Sequence, residues 1–137
     1  MNIEESAGYL LSKVTIAHRN LLERHLREIG LHSGQVFVLF ELWKKDGQRQ
    51  IDLAENVKLA PPTVNKILGG LLEADLVTRA KYENDARSTR IFLTEKGKDI
   101  RNDIEVVWDL IEEETISGLT ETESLMLRQL LTRLLLS

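Results

Sequence analysis

The stretch APPTVNKILGG, residues 60–70, holds both prolines of the 137-residue chain and two of its eight glycines. These residue types usually interrupt helices, yet the aliphatic residues from Val64 to Leu71 recur at the spacing of one helical face. A proline at the first helical position is tolerated, because the N–H it lacks would have no intrahelical partner. A residue before proline is pushed out of the α region, so an earlier helix must end by Ala60. The stretch therefore predicts the sharp start of a helix that runs to about Ala74.

Three helices are predicted upstream of the prolines. The first, about residues 3–29, has a broad apolar stripe that must be buried in its own core or in a second subunit. The second covers about residues 34–45. The third is short, about residues 53–57, with Asp52 expected as its cap and Glu55 as the capping-box partner.

A hairpin and two further helices are predicted downstream. Residues 76–82 and 90–93 are β-prone and bracket a polar run, as in a hairpin. Thr94 is expected to cap a long helix to about Ser117, and the capping box at residues 120–123 starts the last helix. Three central helices followed by a hairpin form a winged helix-turn-helix. The predicted fold class is therefore mainly α with a small β component (α+β), with long helices at both ends.

Composition and charge limit the possible functions. The chain has no cysteine, which excludes disulfides and thiolate metal sites. No apolar run could span a membrane, and the acidic N-terminus does not resemble a signal peptide, which fits a cytoplasmic protein. The net charge is −4, yet residues 58–101 carry nine basic and six acidic residues. That basic segment indicates a local anionic partner, with chance unevenness as the alternative.

The sequence gives little support for a metal site or for an enzyme active site. His18 and His25 lie seven residues apart, and His32 follows at the same interval, but this spacing without cysteine does not favour zinc. The run Glu112–Glu114 is interpreted as a solvated helix face. No nucleophile–base motif or phosphate loop appears, so we expect no cofactor, no metal and no enzymatic activity.

Several short motifs occur in a fixed order between Leu31 and Arg101. They are Leu31-x-x-x-Gln35-x-x-x-Leu39, Leu53-Ala54-Glu55, Thr63-Val64-x-Lys66, Leu72-Glu73-x-x-Leu76-Val77-x-Arg79, Asp85-x-Arg87 and Leu93-Thr94-x-x-Gly97. Each motif is weak alone, but their order and spacing are specific. Together they resemble the MarR family of bacterial and archaeal transcription regulators, and the outer helices match that family in placement and length.

The resemblance implies a single domain over residues 1–137 that forms an obligate homodimer. Residues of about 31–100 would form a winged-helix DNA-binding lobe, and about 1–30 and 101–137 would be dimerisation helices. The family implies a repressor of transcription on double-stranded DNA with a pseudo-palindromic operator. The recognition helix would enter the major groove and the wing the minor groove, and a small phenolic or anionic effector, or oxidation, would release the DNA. A winged-helix adaptor that binds proteins and no DNA is the alternative.

The candidate major-groove residues lie on one face of the predicted recognition helix. They are Pro62, Thr63, Asn65, Lys66 and Gly69. Asparagine can pair with adenine, and lysine with guanine or a phosphate, whereas the threonine hydroxyl suits a phosphate. The alternatives are a solvated face and, for the threonine, a hydrogen bond at the helix start. Gly69 and Gly70 are expected off the core, either permitting close approach of DNA or simply exposed.

The candidate wing residues are arginines and one aspartate. Arg87 at the hairpin tip suits a narrow, electronegative minor groove, with an exposed wing charge as the alternative. Asp85 would orient Arg87 or stabilise the turn. Arg79 and Arg90, on the hairpin strands with Lys81, would touch phosphates or nothing.

Several positions depart from the family pattern or stay open. His32 is a poor cap for the second helix, and Ser33 is the residue that could take over. Asp75 stands where the family often has glycine, and aspartate tolerates a left-handed backbone. Ala86 replaces an arginine of many members, which would weaken the wing's grip on DNA. Trp43 and Trp108 either pack in the core or line an effector pocket.

Overall fold

The prolines of the opening stretch begin a helix in the computed structural model, which describes residues 1–81 and 88–137. Ala60 has an extended backbone and precedes Pro61 and Pro62, which occupy the first two helical positions. Within the described residues, a 3₁₀ turn at Ile3–Glu5 precedes six α-helices. They are α1 Ala7–Arg27, α2 Ser33–Lys44, α3 Gln50–Val57, α4 Pro61–Glu73, α5 Glu95–Thr115 and α6 Glu121–Leu135. The predicted helix order is confirmed, and so is the mainly α winged helix-turn-helix.

The described strands form a small antiparallel sheet in the order β1-β3-β2. They are β1 Gln48–Arg49, β2 Val77–Lys81 and β3 Thr89–Leu93. The hairpin β2–β3 pairs Val77 with Leu93 and Lys81 with Thr89, which confirms the predicted hairpin. The tip, residues 82–87, lies outside the described residues, and with it Asp85 and Arg87.

Strand β1 was absent from the prediction because it is short and polar. Gln48 is nevertheless buried, and its Nε2 donates to the carbonyls of Glu41 at 2.9 Å and Lys45 at 2.8 Å. Its Oε1 accepts a hydrogen bond from Asn56 at 2.8 Å. Both ends of the buried amide are therefore satisfied, and the strand links α2 and α3 to the sheet.

The predicted cap of α3 is wrong. The helix begins at Gln50, so Asp52 lies in its first turn and Arg49 stands at the N-cap. The Arg49 guanidinium donates to both Asp52 carboxylate oxygens, at 2.8 and 3.1 Å. These hydrogen bonds hold the pKa of Asp52 below its usual value. The carboxylate is therefore engaged by a side chain and does not cap the backbone.

The start of α2 is capped from another helix, so the prediction that Ser33 could take over from His32 is wrong. Ser33 is the first helical residue, and its N–H donates to Glu23 Oε1 of α1 at 2.9 Å. His32 Nδ1 lies 3.2 Å from the other oxygen of Glu23. Burial alone would raise the pKa of Glu23, but its hydrogen bonds with Ser33 and His32 outweigh burial and lower it.

The remaining local predictions hold. Thr94 Oγ1 accepts from the N–H of Gly97 at 3.0 Å and caps α5. The side chains of Thr120 and Glu123 complete the capping box of α6. Asp75 has φ of 60°, the left-handed conformation expected where a glycine would be usual.

One apolar core joins α1 and α5 to the winged helix. Its fully buried residues include Leu26 of α1, Leu39 and Leu42 of α2, Leu53 of α3, Leu68 and Leu71 of α4, Ile91 of β3, and Ile104 of α5. Burying each such side chain stabilises the fold by about 1.5–3 kcal/mol. Within residues 1–81 and 88–137, no helix combines the length and apolar character needed to cross a membrane.

Candidate nucleic-acid interface

Helix α4 has two different faces. Val64, Leu68 and Leu71 are fully buried against the core. The five residues predicted for the major groove are all exposed: Pro62, Thr63, Asn65, Lys66 and Gly69. The structure therefore brings these five together on the outward surface of one helix, which we call the reading face.

A neighbouring residue that the sequence did not single out reaches the reading face. Gln50, the first residue of α3, donates from Nε2 to Oδ1 of Asn65 at 3.3 Å. The two residues are far apart in the chain, and no sequence motif marks Gln50 as part of the site. Their contact follows from the angle at which α3 and α4 meet.

The two glycines of α4 have different environments. A Cβ added to Gly69 would meet nothing within 4 Å, so this glycine is open and off the core as predicted. A Cβ on Gly70 would lie 2.8 Å from Nε2 of Gln35 in α2, so this glycine lies off the apolar core but beside another helix. Close packing between α2 and α4 therefore explains Gly70 and leaves Gly69 unexplained.

The strand arginines behave differently from each other. Arg79 is exposed and, with Lys81, lines a cavity of about 540 Å³ between the wing and the helix-turn-helix. Arg90 donates from Nη1 to the carbonyl of Gly47 at 2.9 Å, so it contacts the chain itself. Its charge also helps to lower the pKa of Asp52, after the larger effect of Arg49.

Aromatic residues of α2 meet α5 beside a second cavity. The rings of Phe40 and Trp108 are 5.3 Å apart, and those of Phe40 and Trp43 are 5.5 Å apart. Trp43 Nε1 donates to the carbonyl of Gly97 at 3.0 Å. Trp108 therefore packs in an aromatic cluster, while Trp43 both packs and lines the cavity.

That second cavity, about 280 Å³, has a mixed lining. Its residues are Phe40, Trp43 and Lys44 of α2 with Arg101 and Glu105 of α5. The Arg101 guanidinium lies 5.5 Å from the Trp43 ring centroid and donates to Glu105 at 2.9 Å. Two flat rings line one space with two cations, each of which is paired with a glutamate, and this lining suits a small aromatic ligand.

Two of the three histidines, His25 and His32, lie beside carboxylates of neighbouring helices. His25 Nε2 lies 3.0 Å from Glu114 Oε1, and Arg24 lies 3.3 Å from the other oxygen of Glu114. Glu114 is thus more than part of a solvated face, since it joins α5 to α1. Among the described residues, no group of three or more histidines and carboxylates could hold a metal ion.

The reading face, the hairpin and the flanking helices define a winged helix-turn-helix protein with extra helices at both ends. The profile of the MarR family matches residues 31–89. The chain also superimposes on a MarR transcriptional regulator from Methanosarcina mazei Go1. That pair is 26% identical over 93% of this chain and 92% of the other, with a TM-score of 0.83. The chain therefore carries a MarR-family domain at residues 31–89, and its whole fold is similar to that of MarR regulators.

Two further structures are similar. The transcriptional regulator PA3341 is 32% identical over 95% of this chain and 96% of its own, with a TM-score of 0.76. Bordetella bronchiseptica BpsR is 20% identical over 98% and 96%, with a TM-score of 0.86. The BpsR structure concerns the regulation of its DNA binding by 6-hydroxynicotinic acid. At this identity BpsR supports the fold alone.

Proposed function

We propose that the chain is a homodimeric repressor that binds a pseudo-palindromic site on double-stranded DNA. The observation that carries this proposal is the reading face of α4, where polar side chains are exposed opposite fully buried Val64 and Leu68. A helix whose outward face is polar suits the major groove, which admits a helix. The protein acts in the cytoplasm, without enzymatic activity.

The side chains divide into base contacts and backbone contacts. Asn65 and Lys66 would reach base edges, and Thr63 a phosphate near the start of α4. The two prolines remove two N–H donors from that helix end, so the phosphate contact there depends more on the side chain. Arg79 would contact the DNA backbone from the wing. Arg87, supported by Asp85, would enter the minor groove, a proposal that rests on the sequence.

The dimer would form through the outer helices, residues 1–30 and 101–137. In α6, which is described throughout, Ser124 is the one buried residue, whereas Leu130 and Leu134 are 51% and 61% exposed. Leu10 and Val14 of α1 are also 52% and 60% exposed. Apolar stripes of this size need a partner, and a second copy supplies the same stripes. A two-fold dimer would place the two reading faces on half-sites about 10 bp apart.

A small aromatic anion would release the DNA by binding between α2 and α5. The cavity beside Trp43 supplies ring faces, and Lys44 and Arg101 supply positive charge. BpsR, whose structure concerns regulation of DNA binding by 6-hydroxynicotinic acid, shares the fold in which this cavity lies. Because α2 packs on α4 through Gly70, a change at α2 would reach the reading face.

A DNA-binding titration of the full-length protein tests this function. Duplexes selected from a random pool should bind far more tightly than scrambled duplexes, and affinity should fall steeply as salt rises. Lys66→Ala should weaken binding, whereas Lys13→Ala, a change outside the winged-helix lobe, should not. Light scattering should find a dimer. A dimer that selects no duplex would instead support a protein-binding adaptor.

A further inference from the structure

The contact between Gln50 and Asn65 joins the two helices of the helix-turn-helix at the reading face. Gln50 Nε2 donates to Asn65 Oδ1 at 3.3 Å. Asn65 is exposed next to Lys66, in the part of α4 best placed to enter the major groove. The contact therefore sits where an amide could be directed toward a base.

The chain around Gln50 is held in place by its neighbours. Gln48 is buried and bonded to two carbonyls of α2, as described above. Arg49 forms an ion pair with Asp52 at 2.8 Å. The contacts of Gln48 and Arg49 therefore hold the backbone at the start of α3. The Gln50 side chain needs only to adopt one rotamer to reach Asn65.

The direction of this hydrogen bond sets which end of the Asn65 amide faces away from α3. An amide has an oxygen acceptor on one side of its carbon and an NH₂ donor on the other. Because Oδ1 faces Gln50, the side of the amide turned away from Gln50 presents an Nδ2 hydrogen. A freely rotating asparagine pairs with adenine through one donor and one acceptor. An asparagine fixed in this direction offers its donors first.

The four bases present different hydrogen-bonding groups to such donors in the major groove. Guanine displays two adjacent acceptors, N7 and O6. Adenine displays one acceptor beside the N6 donor, thymine displays one acceptor, O4, beside its methyl group, and cytosine displays the N4 donor. A side chain that presents N–H donors to the base is therefore best matched by guanine, which has no donor beside its N7.

We propose that Gln50 is a positioning residue that sets the base preference of Asn65, favouring guanine over adenine. The inference rests on the proposed function, since it requires α4 to lie in the major groove. Gln50 acts through Asn65 and need not touch the DNA itself. Its effect should appear in the choice of base at one position of each half-site.

Selection of duplexes from a random pool, followed by sequencing, tests the inference. Wild-type protein should enrich guanine over adenine roughly fivefold or more at one position of each half-site, the scale of a single base contact. Asn65→Ala should abolish the preference at that position. Gln50→Ala should move the preference to adenine there and leave the other positions unchanged.

Gln50→Glu gives a second, independent variant. A carboxylate cannot donate to Oδ1, and it would accept from Nδ2 and turn the amide around. Oδ1 would then face the base, so the same position should shift toward adenine or cytosine. Thermal unfolding midpoints within a few degrees of wild type would show that each variant is folded.

The possible outcomes distinguish failure of this inference from failure of the proposed DNA-binding function. A wild-type protein that enriches no sequence removes the proposed function and this inference together. Enrichment that is unchanged in both Gln50 variants overturns the inference alone. So does a wild-type preference for adenine or cytosine at the Asn65 position, or a Gln50 effect at a position where Asn65→Ala has none.

Discussion

Two helical glycines with the same intrinsic propensity should respond oppositely to alanine. Gly97 lies in the first turn of α5 and is buried, and a Cβ there would overlap the backbone carbonyl of Leu76. Gly69 lies in α4 with nothing within 4 Å of its Cβ position. Gly69→Ala is therefore the matched control for Gly97→Ala.

The magnitudes follow from these surroundings. Alanine in place of a helical glycine stabilises by up to about 1 kcal/mol where space is free. At Gly97 the obstacle is backbone, held by a hydrogen bond from the Thr94 N–H to the Leu76 carbonyl at 3.1 Å. Overpacking of this kind costs typically about 1–3 kcal/mol, and rigid backbone places it at the upper end. We expect Gly97→Ala to destabilise by about 2 kcal/mol net and Gly69→Ala to stabilise by about 0.5–1 kcal/mol.

Urea unfolding followed by tryptophan fluorescence measures both variants. Trp43 donates to the Gly97 carbonyl, so its emission reports on this contact directly. All proteins must be compared at one concentration, since association with a second copy would shift apparent stability. A Gly97→Ala midpoint at or above that of wild type, with an unchanged slope, would refute the overlap argument.

Three further outcomes are expected. Gly69→Ala should weaken DNA binding severalfold if DNA lies against this glycine, although it stabilises the fold, and unchanged affinity would show that Gly69 is merely exposed. Arg87→Ala should weaken operator binding by at least about 1 kcal/mol, the scale of a specific base contact, in a titration at fixed salt with the dimer intact. Unchanged affinity there would contradict the minor-groove assignment. Glu23→Gln should cost about 1 kcal/mol at pH 7, the scale of a lost helix cap. Because the pKa of Glu23 is lowered in the fold, its contribution is present above the ordinary value of 4.5 and is lost as the pH falls through the folded pKa. The wild type and Glu23→Gln should therefore converge in urea midpoint as the pH falls from 4.5 through the lowered pKa of Glu23, and a constant difference throughout that range would argue against a charge-dependent cap.

Features with local causes were predictable from the sequence. The prolines before Thr63 act on their own backbone, and the caps at Thr94 and Thr120 bond within one helical turn. The alternation of buried and exposed residues in α4 follows from the helical period, so the reading face could be named in advance.

Features that depend on distant partners were not predictable. The Asp52 carboxylate accepts hydrogen bonds from Arg49, and the Ser33 N–H donates to Glu23 of another helix. Gly70 leaves room for the Gln35 side chain of α2. Gln50 contacts the reading face only because α3 meets α4 there. Each of these contacts needs the angle between two helices, which no short motif encodes.

The amide of Gln35 performs two tasks at once. Its oxygen accepts from the His32 N–H at 2.9 Å at the start of α2, and its nitrogen occupies the space that a side chain at position 70 would need. Positions 35 and 70 are therefore expected to vary together among related chains. A side chain at position 70 should accompany a shorter residue at position 35, and that chain would need another partner for the His32 N–H.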